Sequence, residues 1–251
     1  MRTQASMAAV QIPQAWGNDG ALARVDTALA TLSGVELALL PELCLTGYVS
    51  PWGDFDVRPF AETLDGPTCR EVAALAARRN LAIAAPLVER VEGNLSRDTR
   101  YYNTLVLFDE TGLRIGHWRK RHPWFPEYWA TPGDLGTPVI EWHGLSIAAA
   151  ICYDLHFLDH EAADELQSAD VLLFPSAWVE DEEDTRLPRL RELAGRYGIA
   201  VVNANWATGR PAIWGQGGSV ILDPQGEVLA AAAGNGAECI TAYIQRRASG
   251  G

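Results

Sequence analysis

The sequence predicts an α/β protein in which two β-sheets pack together and helices flank them. Strand-like and helix-like segments alternate along most of the 251 residues. Two hairpins interrupt the alternation: "YNTLVLF" joined to "LRIGHW" through the turn "DETG", and "GSVILDPQGEVLAAA". About a dozen strands with only four main helices are too many strands, and too often paired by hairpins, for a simple doubly wound sheet. Hydrophobic residues make up 48% and charged residues 21%, which supplies ample material for a core and excludes large-scale disorder. With no exact repeat and no low-complexity linker, one domain over residues 1–251 is expected.

The elements follow in order. "ASMAAVQI" reads as a strand, after which Asn18 or Asp19 is expected to cap a helix through about Leu32, with Leu22, Val25, Leu29 and Leu32 on one face. "VELALLPE" returns as a buried strand. "GPTCREVAALAARRN" places Pro67 in a first turn and Val72, Leu75 and Ala76 at helical spacing, and it leads into the strand "LAIAAPLVE". The first hairpin comes next, then a Pro- and Trp-rich loop from Arg121 to Pro138. Beyond it stand a strand running into Cys152, a helix near Asp159–Gln167, the strand "DVLLFP", a helix near Arg186–Tyr197 and the strand "IAVVNAN". The second hairpin and "AECITAYI" close the chain. The acidic run Val179–Asp184 reads as a solvated loop or helix start.

A net charge of −12 argues against nucleic-acid binding and against acidic membranes. No signal peptide and no run of 18 apolar residues is visible, so a cytoplasmic location is expected. Cys44, Cys69, Cys152 and Cys239 are widely separated without CxxC spacing, and are expected to be free thiols.

Three segment ends collect reactive groups. The apolar strand "LALLPELCLTGY" ends at Pro41 and Glu42; "HWRKRHPWFPEYWATPGD" offers Lys120 and Glu127; "IAAAICYDLHF" delivers Cys152. Sheets of this class gather ligand groups at the carboxyl ends of strands, so the three can meet. A thiol becomes a strong nucleophile as thiolate, a glutamate can take its proton, and a lysine can face a developing oxyanion, which together support acyl transfer through a thioester. Each residue alone has a plainer reading: a buried core cysteine, a turn glutamate, a basic surface cluster. His156 and His160 lie at i+4 and i+8 from Cys152, the spacing of a zinc site on a helix, but the strand-like run before Cys152 argues against it. A Cys-His dyad would leave Glu42 and Lys120 unexplained.

Taken together, "LLPELCLTGY", "WRKRH" followed by "TPGD", and "ICYDLHF" resemble the nitrilase superfamily of carbon–nitrogen hydrolases in order and separation. "YNT" at 102–104 and the hairpin "GGSVILDPQGEVLA" also look like family elements, so the resemblance spans nearly the whole chain. It implies a four-layer α-β-β-α sandwich, usually assembled into homodimers or larger homo-oligomers, with no metal or organic cofactor. It further implies that Cys152 attacks an amide or nitrile carbon while Glu42 accepts the thiol proton. Lys120 and the backbone N–H of Tyr153 then hold the oxyanion, and Glu127 positions lysine and substrate. Tyr48, Tyr153, His156 and Trp178 are the expected substrate-binding residues.

One departure bears on the substrate. Many relatives read Cys-Tyr-Asp-Leu-Arg-Phe-Pro-Glu, whereas "CYDLHFLDH" places His156 where arginine is usual and Leu158-Asp159 in place of Pro-Glu. A histidine does not reproduce arginine's two-donor fork, so acidic substrates are disfavoured. Trp118, Trp124, Phe125, Tyr128, Trp129, Trp178, Trp206 and Trp214 lie near the expected site loops and suggest an apolar or aromatic amide, with core or subunit packing as the plainer account. The expected activity is hydrolysis of a linear amide; nitrile hydrolysis and a catalytically silent binding fold are the alternatives.

Overall fold

The computed structural model describes residues 4–95, 98–179, 186–210, 212–213 and 216–247. Trp214 and the acidic run beyond Val179 lie outside them. The first half of the chain runs β1 (Gln4–Gln11), β2 (Pro13–Ala15), α1 (Ala21–Leu29), β3 (Leu37–Leu39), α2 (Pro67–Arg79), β4 (Ala82–Val91), β5 (Arg100–Phe108) and β6 (Arg114–Arg119). The second runs β7 (Ile140–Trp142), β8 (Leu145–Ala149), α3 (Leu158–Glu161), α4 (Ala163–Ser168), β9 (Val171–Ser176), α5 (Arg186–Tyr197), β10 (Ala200–Asn205), β11 (Ala207–Arg210), β12 (Val220–Leu222), β13 (Val228–Ala231) and β14 (Glu238–Gln245).

The strands form two six-stranded sheets, ordered β14-β1-β3-β4-β5-β6 and β13-β12-β10-β9-β8-β7, with β2 and β11 as a small separate pair. The period-two alternation of a strand decides what each face meets. On β1, β3, β4 and β5, Met7, Ala9, Leu37, Leu39, Ala84 and Leu105 pack toward the second sheet. Their neighbours Ala8, Val10, Ala38, Leu40, Ile83 and Val106 pack under α1 and α2, joining Val25, Leu29, Val72 and Leu75. Both faces are therefore apolar, which is why these strands read as nearly continuous hydrophobic runs. On the second sheet, α4 and α5 contribute Leu166, Leu190, Leu193 and Ala194 to the same core. The layers are α-β-β-α, as the sequence predicts.

Several boundaries differ from the sequence reading. No side chain caps α1; it starts after Gly20, whose φ of 68° makes the turn, and it ends at Leu29, with Thr31 and Leu32 closing tighter turns onto Ala28 and Leu29. The helix expected near Asp159–Gln167 is two short ones, because Ala162 (φ −141°) breaks the helical path between α3 and α4. The strand before Cys152 stops at Ala149, and Cys152–His156 is a 3₁₀ turn, so Cys152 follows a strand end rather than forming it. β7 and the β2–β11 pair are short elements that periodicity does not reveal. Helix α2 follows expectation: Pro67 opens it, left-handed Asn80 (φ 48°) ends it, and Cys69, Val72, Leu75 and Ala76 are buried. No helix of the described residues is long and apolar enough to cross a membrane.

Candidate active site

β3, β6, β8 and β9 come from both sheets, and the residues just past their carboxyl ends meet in one place. Glu42 follows β3, Lys120 follows β6, Cys152 follows β8 and Ala177 follows β9. The loop after Lys120 folds back and brings Glu127 to the same spot. Gly133 closes this loop: its N–H donates to the Lys120 carbonyl, and a Cβ there would stand 2.5 Å from the Arg119 carbonyl oxygen. Only glycine permits that approach.

Lys120 is fully buried, and its ammonium donates to Glu42 Oε1 at 2.7 Å and to Glu127 Oε2 at 2.6 Å. Asn103 on β5 spans the same two acids, its Nδ2 donating to Glu42 Oε1 at 2.8 Å and to Glu127 Oε1 at 2.7 Å. Glu42 Oε2 accepts the Ala177 N–H at 2.8 Å, and Glu127 Oε2 accepts the Trp124 N–H at 2.6 Å. Burial opposes the Lys120 charge, but Glu127 and Glu42 outweigh it and hold its pKa above the usual lysine range. Burial raises Glu127 above a normal carboxylate; Lys120 counters this, and Glu42 adds to it. Two acids share one ammonium, so a full compensation of charge is not available to both.

Cys152 is buried beside this cluster with φ 49°, a left-handed conformation rare outside glycine. Such a conformation costs roughly 1–3 kcal/mol and persists where surrounding contacts enforce it. Asp154 supplies two of them. Its Oδ1 accepts the His122 N–H at 2.8 Å and its Oδ2 the Ile151 N–H at 3.1 Å, tying the segment after Lys120 to the segment before Cys152. The thiol pKa stands well above its ordinary value because of burial first and then the Glu42 charge, with Lys120 pulling the other way. Burial and the Glu42 charge therefore both favour the thiol over the thiolate at rest.

Cys152 opens into a cavity of about 210 Å³ lined by Tyr48, Trp124, Tyr153, Ala177, Trp178 and Val179. Tyr48 is set by Gly47, whose φ of 79° brings it so close to Ala15 that a Cβ would meet the Ala15 carbonyl oxygen at 2.7 Å. The Tyr48 N–H then donates to Gln14 Oε1. Asn205 on β10 holds Trp178, accepting its N–H and donating to its carbonyl. His156 is not in the lining; its ring stacks on Trp178 at 5.5 Å and 20°, so it reaches the cavity wall through that side chain. His160 is exposed on α3 and takes no part. Among the described residues, no three His, Cys, Asp or Glu side chains are grouped to hold a metal ion. Trp118 and Trp206 are buried core residues, and Trp124, Phe125 and Tyr128 are exposed.

Asn103, Asp154 and the Ala177 N–H are absent from the sequence-predicted site. Asn103 had a usable signal: a strand otherwise rich in apolar residues carries an amide that must find partners if buried. The Ala177 N–H had none, since no side chain marks it.

A carbon–nitrogen hydrolase family model matches residues 6–250. The (R)-stereoselective amidase of a Pseudomonas species is 28% identical over 227 residues, which cover 88% of this chain and 79% of that protein. The crystal structure of an amidase from Nesterenkonia sp. superposes with a TM-score of 0.78 at 26% identity, covering 98% of this chain and 92% of the other. Nit3 of Saccharomyces cerevisiae, a member of branch 10 of the nitrilase superfamily, gives a TM-score of 0.82 at 22% identity, covering 98% and 91%, a likeness of fold alone. With its sandwich of two sheets and its match over nearly every residue, this chain belongs to the carbon–nitrogen hydrolase family.

Proposed function

We propose that the protein hydrolyses a linear, non-peptide amide through a thioester on Cys152. The observation that carries this reading is the buried Lys120 ammonium bridging Glu42 and Glu127 beside the thiol. Cys152 Sγ attacks the amide carbon while Glu42 takes the thiol proton, which the raised pKa requires to move during attack. An ammonium has three N–H donors, and two of those on Lys120 are engaged by the carboxylates, leaving one for the oxyanion. The Tyr153 N–H is the second oxyanion donor. Glu42 returns the proton to the nitrogen, the C–N bond breaks, and the amine or ammonia departs. Water then attacks the thioester with Glu42 taking its proton, and the acid leaves as sulfur regains a hydrogen.

Glu127 holds Lys120 in place, and Asn103 keeps the two carboxylates at a fixed separation. Tyr48, Tyr153 and Trp178 form the acyl side of the pocket, with His156 bracing Trp178. The amidases among the relatives favour an amide over a nitrile as substrate. A silent binding fold has no chemical use for a buried lysine between two acids, an arrangement that costs desolvation.

The test is intact-protein mass spectrometry of wild type and Cys152→Ala after mixing with neutral, aromatic and acidic amides and nitriles, with ammonia release followed alongside. A substrate-sized increment on wild type alone, with ammonia released, is expected for neutral amides. Release by the Cys152→Ala protein at the wild-type rate rules the thioester route out.

A further inference from the structure

The two sides of the Cys152 sulfur differ in the space they offer. Toward the acids, Glu42, Lys120 and Glu127 are at most 2% exposed, and Lys120 bridges the two carboxylates. Toward solvent, the 210 Å³ cavity is bounded by Trp124. Trp124 is also a wall of a second, open groove of about 640 Å³, lined mainly by Phe55, Phe125, Tyr128 and Trp129, with Asp54, Asp56 and Arg58 also on its walls. The inner cavity alone is smaller than the roughly 300–1,000 Å³ usual for small-molecule sites, whereas the outer groove lies within that range.

The groove is an aromatic surface placed by the catalytic cluster itself. Glu127 accepts the Trp124 N–H from inside, which anchors the turn whose outer side presents Phe125 and Tyr128, 71% and 81% exposed and edge-to-face at 5.4 Å. On the opposite wall, Phe55 packs edge-to-face on Tyr48 of the inner cavity at 5.9 Å, so the apolar lining is continuous between the two spaces. Exposed aromatics clustered in this way mark a binding surface. The groove joins the Cys152 cavity at Trp124 and through the Phe55–Tyr48 contact.

We propose that the substrate is a primary amide with a long, aromatic-tipped acyl group, ammonia leaving on the buried side of Cys152 while the acyl tail passes Trp124 into the outer groove. The inference rests on the hydrolase reading above, in which Glu42 gives its proton to the departing nitrogen. That nitrogen must then face Glu42, Lys120 and Glu127, which are at most 2% exposed and line neither the inner cavity nor the outer groove. The acyl group, bonded to sulfur until water arrives, takes the open side.

Three neutral probes separate the possibilities: acetamide, phenylbutanamide, and N-(phenylpropyl)acetamide, which carries a comparable tail on nitrogen. For wild type, kcat/KM for phenylbutanamide is expected to exceed that for acetamide by about tenfold or more, with the N-substituted amide lowest. In the Phe125→Ala/Tyr128→Ala double variant the ratio of phenylbutanamide to acetamide is expected to fall by about tenfold. A ratio that the double variant leaves unaltered overturns the groove, and equal turnover of the N-substituted amide overturns the assignment of sides. Should the double variant instead change oligomer size in light scattering with the ratio intact, the groove is a subunit contact and the proposal fails. Calorimetry on Cys152→Ala reads the groove without turnover. Tighter binding of phenylbutanamide than acetamide there, with no ammonia from any amide and wild type, would sink the hydrolase reading and leave the groove. Equal binding would sink the groove whatever the chemistry.

Discussion

Arg119 and Lys120 are consecutive, and each is placed among carboxylates, yet the two clusters come to opposite electrostatic ends. Around Arg119, Glu89 is buried and accepts from the Arg119 guanidinium through both oxygens, from His117 and from Thr104 Oγ1. Burial alone would raise Glu89, but Arg119 and His117 bring it down to about 2. Around Lys120, Glu127 is equally buried and comes out raised. The difference lies in the partners: in the first cluster two basic side chains, Arg119 and His117, face one buried acid, Glu89, and one exposed acid, Asp134, whereas in the second two buried acids share one ammonium. Burial amplifies whichever imbalance is present. The first cluster stabilises β4, β5 and β6; the second keeps proton affinity in reserve next to a thiol.

Removing the cation from the second cluster is expected to have the largest effect. Lys120→Met leaves Glu42 and Glu127 together without a positive partner, and should lower ammonia release by about 10³-fold with a loss of about 3–5 kcal/mol in urea unfolding. Activity within tenfold of wild type would show that Lys120 serves packing and not the reaction. In the first cluster, Glu89→Gln should instead cost stability with activity retained within about tenfold. The folded pKa of Glu89 is depressed, so its contribution is present above the unfolded value of about 4.3 and is lost as pH falls through about 2. Urea titrations at several pH values should show wild type exceeding Glu89→Gln by about 3 kcal/mol at pH ~7, the gap closing toward pH ~2. A gap that does not narrow would mean that the ion pair is not its source.

The layers, the hairpins and the Glu42, Lys120 and Cys152 positions were legible because each leaves a local mark. Apolar runs such as "LALL" and "VLLF" announce doubly covered strands, and a polar residue just past such a run stands out. The α1 start was misplaced because Gly20 makes that turn with its backbone, while the nearby Asn18 and Asp19 advertise a side-chain cap that is not used. The amide of Asn103 in an apolar strand signals only that it needs partners; that the partners are Glu42 and Glu127, 61 and 24 residues away, lies outside any local window. The aromatic groove was half visible: the sequence shows Trp124, Phe125 and Tyr128 together, but only the fold brings Phe55 and Tyr48 opposite them.

Asp154 tests the comparison from a third position, a buried acid that accepts from two backbone N–H groups, those of His122 and Ile151. Burial raises its pKa to about 6, against the pull of the Ile151 N–H and the Lys120 charge. A raised folded pKa means that its contribution to stability is fully present below the unfolded value of about 3.9 and is lost as pH rises through about 6, the reverse of Glu89. The stability of wild type relative to Asp154→Asn should therefore decline across that window, by about 3 kcal/mol. Because only the carboxylate offers an acceptor to His122 and to Ile151 without a competing hydrogen, kcat/KM of wild type should also fall as pH drops through about 6. Asp154→Asn, with one carbonyl to share between the two donors, should be a few-fold slower at high pH and lack that inflection. An inflection that survives the substitution would assign it to another group, and would leave Asp154 as a tie between two loops with no hold on the protonation state of the site.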